Sequence, residues 1–234
     1  MVNHARLILA GGGGAQDSLP LDEVFATWIG PHGRMLYLPV ALRERGIPYD
    51  QCLAWIQSVF RPLGISGIEM WTDLGEHDPD ELAAFDAVYL GGGNTFSLLA
   101  QLRASGLGTA LVRFAQRGGA IYGGSAGAIV LGRDIMTCAH LDSNDVGLAD
   151  TRGLDLVAGH DIWCHYRPDE DARIAEYVRG TGRPVLAVSE RAGVAVHGAR
   201  IESAGFEPAY RFDENGIIGI LKDDHTEVEP VPLG

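Results

Sequence analysis

The chain has 234 residues, 46% of them hydrophobic and 21% charged, which is an ordinary globular composition with ample material for a core. Lys and Arg number 18 against 31 Asp and Glu, and the net charge of −13 argues against nucleic acid or an anionic membrane surface as a partner. No apolar run approaches the ~18 residues of a membrane span. The first residues lead straight toward a strand without a signal peptide's apolar region, so a cytoplasmic chain is expected. Cys52, Cys138 and Cys164 are widely spaced and match no metal or redox motif. They read as core residues in a reducing compartment, and no metal site is expected.

The spacing predicts a first strand over residues 6–10, followed by the glycine loop Gly11–Gly14. Asp17 or Ser18 can cap a helix running through residue 29, with Pro20 tolerated in its first turn. Strands follow over 35–39 and 65–71, separated by a helix that opens at Ile47-Pro48 and runs to Phe60. Asp78-Pro79-Asp80-Glu81 combines a cap, a proline at the first helical position and acidic residues, and so starts a helix ending near Phe85. Residues 87–90 form a fourth strand, followed by Gly91-Gly92-Gly93-Asn94-Thr95 and helices over 95–103 and 107–117. Strands that alternate with helices, each strand a continuous apolar run, imply an α/β fold with a mostly parallel central sheet covered on both faces.

Residues 120–122 are then a short buried strand, and residues 126–131 start a small-residue helix. Between them Gly123, Ser125 and Gly127 fit the Gly-x-Ser-x-Gly nucleophile elbow, a turn so sharp that a Cβ at either glycine would clash. The N–H of Ala126, at the helix start, can face a developing oxyanion. The same five residues also read as a flexible turn in a chain with 32 glycines. Residues 138–157 loosen into a polar loop of the length that often serves an active site. A strand ending at His165 follows, then a helix over 169–178 closed by Gly180, strands over 184–188 and 193–197, and strand-like pieces from 200 to 222. The last third is therefore expected to add antiparallel strands at the sheet edge. The chain has no repeat or linker and reads as one domain, 1–234.

A serine nucleophile needs a base and an acid that orients the base. His4, His32, His77 and His225 fall in termini or loops, and His197 lies inside an alternating strand. That leaves His140, His160 and His165, of which His165 stands at a strand end, where α/β folds place catalytic groups. Glu190 closes the strand over 184–188 in the same way, although strand-terminal acids are often merely solvated. Asp145 and Asp150 are alternative acids in the polar loop. Gly11–Gly14 lacks both the dinucleotide pattern and the Walker lysine, and it reads as a turn at the rim of the site.

With Leu36-Tyr37-Leu38-Pro39, Leu90-Gly91-Gly92-Gly93-Asn94-Thr95-Phe96, Gly123-Gly124-Ser125-Ala126-Gly127-Ala128, His165 and Glu190 together, residues 6–212 resemble the peptidase E and cyanophycinase family of serine peptidases. The resemblance implies a class I glutamine amidotransferase-like fold and a Ser-His-Glu triad of Ser125, His165 and Glu190. It further implies oxyanion donors at Gly93 and Ala126, a substrate contact at Asn94, and no cofactor. The implied substrate is a small peptide; for one beginning with aspartate, Arg133, Arg167, Arg191 or His140 could meet the carboxylate. Gly124 before the serine, Arg191 after the acid and Tyr166-Arg167-Pro168-Asp169 depart from the aspartyl dipeptidase pattern, and they bear on substrate preference. Cleavage of β-aspartyl-arginine units, an esterase activity, and a non-catalytic amidotransferase-like binding module are the alternatives. A homodimer is compatible with the sequence, which does not fix the oligomeric state.

Overall fold

The computed structural model describes residues 5–220 and 226–227. Residues 1–4, Lys222 and His225 lie outside the described residues. Strands β1 (Arg6–Ala10), β2 (Arg34–Leu38), β3 (Gly67–Met70), β4 (Ala87–Leu90) and β5 (Ala120–Gly124) are all parallel, in the spatial order β1-β5-β4-β2-β3. Helices α1 (Ala15–Ile29) and α2 (Tyr49–Phe60) cover one face. Helices α3 (Thr95–Ala104), α4 (Leu107–Gln116) and α5 (Ala126–Leu131) cover the other. Strand side chains alternate between the two layers. Ile8, Met35, Tyr37, Tyr89 and Tyr122 pack with Phe25, Ile56 and Phe60, while Leu7, Leu9, Leu36, Val88 and Ile121 pack with Leu98, Leu111 and Ile129. A strand buried on both faces has no polar side to show, which is why these segments read as unbroken apolar runs.

The remaining elements are β6 (Asp161–Cys164), α6 (Asp171–Thr181), β7 (Val185–Val188), β8 (Gly193–His197), β9 (Arg200–Ser203), β10 (Ala209–Asp213), β11 (Gly216–Ile220) and β12 (Thr226–Glu227). β8 pairs antiparallel with β1, and β9 and β12 extend that edge, so the expected antiparallel additions are present. β6, β7, β10 and β11 instead form a separate four-stranded sheet. Its core is Trp163, Ile174, Val178, Val185 and Phe212. This second sheet meets the first at the C-terminal end of β1, where His165 N–H donates to Gly11 O at 3.0 Å. Among the described residues no helix is long and apolar enough to cross a membrane.

Local differences from the sequence expectation have simple causes. α1 starts at Ala15, not after Asp17: Gly14 is the N-cap, and Asp17 accepts its N–H at 3.0 Å from the third helical position. Pro20 therefore sits in the second turn, where the carbonyl it deprives of a donor belongs to exposed Gln16. Residues 79–84 form a 3₁₀ helix rather than an α-helix, with the expected cap at Asp78, because only six residues separate that cap from Phe85. Gly180 lies inside α6, and Gly182, at φ 67°, ends it.

The start of β6 carries a buried charged group. Asp161 is fully buried and accepts from Arg183 Nε at 2.8 Å, Tyr177 Oη at 2.8 Å and Asp134 N–H at 2.8 Å. Burial pushes its carboxyl pKa up, against the pull of Arg183. Asp161→Ala strands Arg183 and is expected to cost about 3 kcal/mol in urea unfolding, whereas a loss below about 0.5 kcal/mol would contradict this reading.

Candidate active site

The parallel strands β1, β4 and β5 end on one side of the sheet, and the turns that follow them meet there. β5 leads into Ser125, which adopts φ 50° and ψ −110°, a conformation that L-residues rarely hold. Three backbone bonds fix the turn: Ser125 N–H donates to Ala10 O at 3.0 Å, and Ser125 O accepts from Ala128 N–H at 2.8 Å and from Ile129 N–H at 3.0 Å. The flanking glycines are sterically required. A Cβ on Gly123 would lie 2.5 Å from Ala128 N, and one on Gly127 would lie 2.2 Å from Leu90 O.

His165 follows β6, also at positive φ (56°), and its Nε2 lies 2.8 Å from Ser125 Oγ. On the other side of the ring, Nδ1 is 3.4 Å from Glu190 Oε1. Glu190 is 63% exposed, so water competes with this contact. The imidazole rests on Gly12, at φ 143°, where a Cβ would meet His165 Cε1 at 2.4 Å. The loop Gly11–Gly14 is therefore the surface that leaves room for the ring, as well as a rim.

Gly93 has φ 133°, and a Cβ there would fall 2.0 Å from Ala41 O. The N–H groups of Gly93 and Ala126 have no hydrogen-bond partner among the described residues. Gly92 packs against the serine, a Cβ there falling 3.5 Å from Ser125 Cβ.

The sequence profile of peptidase family S51 matches residues 7–204. The chain belongs to peptidase family S51. A peptidase E of Streptomyces coelicolor is 31% identical over 198 residues, covering 75% of this chain and 76% of that protein. A probable alpha-aspartyl dipeptidase of Drosophila melanogaster is 29% identical over 197 residues, 78% of this chain and 77% of that protein. The fold is also that of a solved peptidase from an acI-B1 actinobacterium, with TM-score 0.73 and 14% identity over 95% of this chain and 97% of that one. As a member of S51 the chain is a serine-type peptidase.

The other residues singled out in the sequence fall in several places. Asn94 caps α3, accepting from Ser97 N–H at 2.9 Å, while its Nδ2 donates to Ser143 O at 2.8 Å, so both ends of its side chain are engaged. Arg167 and Arg191 flank His165 and Glu190, both exposed, and pair with Asp169 at 3.2 Å and Asp17 at 3.6 Å. Arg133 is not brought to the serine. It follows α5 and binds His160 O through its N–H, at the opposite ends of α5 and β6 from Ser125 and His165. His140 stacks on Trp163 and pairs with Glu170 at 3.5 Å, and burial first, then Arg173, lowers its pKa. His160 is buried against Val157 O. Asp145 accepts from Ser143 Oγ and Asp150 pairs with Arg152, so neither contacts His165.

Sequence reasoning passed over two groups that support the loops around Ser125. Cys164, whose buried thiol pKa is pushed up by burial, donates its S–H toward Ser125 O at 3.5 Å. Asp142 accepts from Thr95 N–H at 2.9 Å and Thr95 Oγ1 at 2.6 Å, holding the polar loop over the start of α3.

A third group lies behind the elbow. Asp22 on α1 is 1% exposed and accepts from Ser18 Oγ at 2.8 Å. Burial raises its pKa from 3.8 to about 6. A carboxyl whose pKa rises on folding favours the folded state least when ionised, so stability falls as pH climbs from about 4 to about 6. Asp22→Asn removes that penalty. It is expected to stabilise the chain by about 1–3 kcal/mol above pH 7 and by little at pH 4, as read by thermal unfolding at both values.

Proposed function

We propose that this S51 member is a dipeptidase that hydrolyses small peptides with a free N-terminus, with aspartate as a favoured first residue, through Ser125, His165 and Glu190. The observation that carries the reading is the 2.8 Å contact between Ser125 Oγ and His165 Nε2 on two strained backbone positions. A serine that is only part of a turn has no reason to pay for that geometry. The names of the relatives from Drosophila melanogaster and Streptomyces coelicolor point to the same activity.

In this mechanism His165 Nε2 takes the proton of Ser125 Oγ as the oxygen attacks the scissile carbonyl. The N–H groups of Gly93 and Ala126 receive the oxyanion. His165 then returns the proton to the leaving amine, and water, activated by the same imidazole, releases the acyl group. Glu190 keeps Nδ1 protonated and stabilises the imidazolium. Because Glu190 is largely exposed, Glu190→Gln is expected to reduce kcat by less than the ~10⁴-fold that loss of a buried orienting acid costs. Arg191 and Arg167 stand where they could meet a substrate carboxylate by exchanging their present partners.

Release of free amine from Asp-X, Glu-X, Ala-X and β-Asp-Arg dipeptides tests the proposal. Turnover of Asp-X above Ala-X supports it, and turnover of β-Asp-Arg alone would move the assignment to isopeptide cleavage. Silence across the panel would overturn the dipeptidase reading.

A further inference from the structure

Behind the elbow, on the α1 face of the sheet, lies a chain of polar groups that the proposed mechanism does not use. Tyr89 and Tyr122 are register partners on β4 and β5, with rings stacked at 4.4 Å and 15°. The Tyr122 hydroxyl is buried beside the Asp22 carboxyl without an aligned hydrogen bond. Tyr89 is 6% exposed, and its hydroxyl, coupled to that of Tyr122, makes no aligned hydrogen bond to any described residue. That hydroxyl emerges beside the nucleophile. A Cβ on Gly124, the residue before Ser125, would lie 3.2 Å from Tyr89 Oη, and Gly124 is itself partly exposed. With no side chain at Gly124, that residue does not cover the Tyr89 oxygen.

The polarity of this chain is set from its buried end. Ser18 Oγ donates to Asp22, and the charge of an ionised Asp22 attracts the hydroxyl hydrogens of the neighbouring tyrosines, turning them inward. An inward-pointing Tyr89 hydrogen leaves an oxygen lone pair facing the site, where it can accept but not donate. An acceptor backed by a buried carboxylate suits a cation, and it disfavours a carboxylate.

We propose that Tyr89 is a substrate-binding residue whose hydroxyl oxygen accepts a hydrogen bond from the α-ammonium group of the substrate, with Asp22 as the positioning residue behind it. The inference rests on the dipeptidase reading and deepens it. A dipeptide's ammonium is one carbon from the scissile carbonyl, so its acceptor must lie close to the nucleophile. The residue next to Ser125 is where this chain exposes one.

The test compares a dipeptide carrying a free amine with its des-amino analogue, for wild type, Tyr89→Phe and Asp22→Asn. The wild type is expected to prefer the free amine, mainly through KM, and the kcat/KM ratio is expected to fall about ten-fold or more in both variants. Tyr37→Phe, which deletes a hydroxyl from the same aromatic face, keeps the ratio. Asp22→Asn is expected to lose the preference while gaining thermal stability at neutral pH, which separates a lost contact from a damaged fold. A Tyr89→Phe enzyme with the wild-type ratio would overturn the proposal.

If the wild type turns over neither compound, the dipeptidase reading fails instead, and the ammonium site is read by protection of Ser125 from a fluorophosphonate. Stronger protection by an amino-acid amide than by its des-amino analogue, lost in Tyr89→Phe, supports the site. Equal protection by the two contradicts it.

Discussion

Ser125→Ala is expected to lower dipeptide turnover by about 10⁴-fold or more while leaving the fold intact. The loss is that large because the acyl transfer proposed above has no substitute nucleophile beside Ser125. Cys164 is the nearest thiol, but it is buried, points at the backbone of the elbow, and its pKa is pushed up by burial. The substitution should be benign for the fold, because the Ser125 side chain takes no part in anchoring the turn. Its anchors are the backbone bonds to Ala10, Ala128 and Ile129. Alanine must still hold φ 50°, so a small loss of thermal stability is expected alongside the kinetic one. Equal activity of the variant and the wild type would remove the serine from the mechanism.

Gly93→Ala is expected to be the most damaging of the glycine substitutions outside the elbow. Its Cβ would fall 2.0 Å from Ala41 O and 2.8 Å from Ala41 Cβ, at φ 133°, where a side chain is strained in any case. The backbone must move, and with it the N–H proposed to meet the oxyanion. Loss of one such donor costs about 10²–10³ in kcat, and the strain is expected to take a further ~1–3 kcal/mol from stability. Gly92→Ala is the control. Its Cβ would make ordinary contacts at 3.5 Å with Gly124 O and Ser125 Cβ, so a far smaller loss is expected. Steady-state kinetics at saturating substrate separates the two variants, and equal kcat losses would contradict the assigned roles.

The alternation of apolar runs with helices made the five parallel strands legible in the sequence, because both sheet faces are buried. The elbow was legible for a different reason. Gly123 and Gly127 are each forced by a backbone atom within 2.6 Å, and steric demands of that kind leave a fixed pattern. His165 and Glu190 could be found as strand ends, but their strands lie in a second sheet that the sequence did not separate from the first. Nothing local in 161–164 or 185–188 tells whether a buried parallel pair joins the central sheet or starts another. Arg133 shows the limit of spacing: two residues beyond a helix that begins at Ser125 is already the wrong end of that helix.

Asp22, Tyr89 and Tyr122 escaped notice because each sits on an apolar face where it counts as core. A helical period puts Asp22 beside Phe25 and Ala26, and a strand period of two puts both tyrosines on that same layer. What joins them is contact between separate elements: Tyr89 and Tyr122 are 33 residues apart, and Asp22 and Tyr122 are 100 apart. The Gly11–Gly14 run was visible as a turn, but its role as the surface under the His165 ring depends on the second sheet arriving there.

The central claim is that Ser125 is a nucleophile activated by His165, and covalent labelling tests it most directly. The protein is treated with a fluorophosphonate and the modified peptide is located by mass spectrometry, in wild type, Ser125→Ala and His165→Ala. A single adduct on Ser125, absent from the alanine variant and formed far more slowly when His165 is removed, is the predicted result. A wild-type protein that remains unlabelled, or one labelled elsewhere at the same rate in all three, would contradict it.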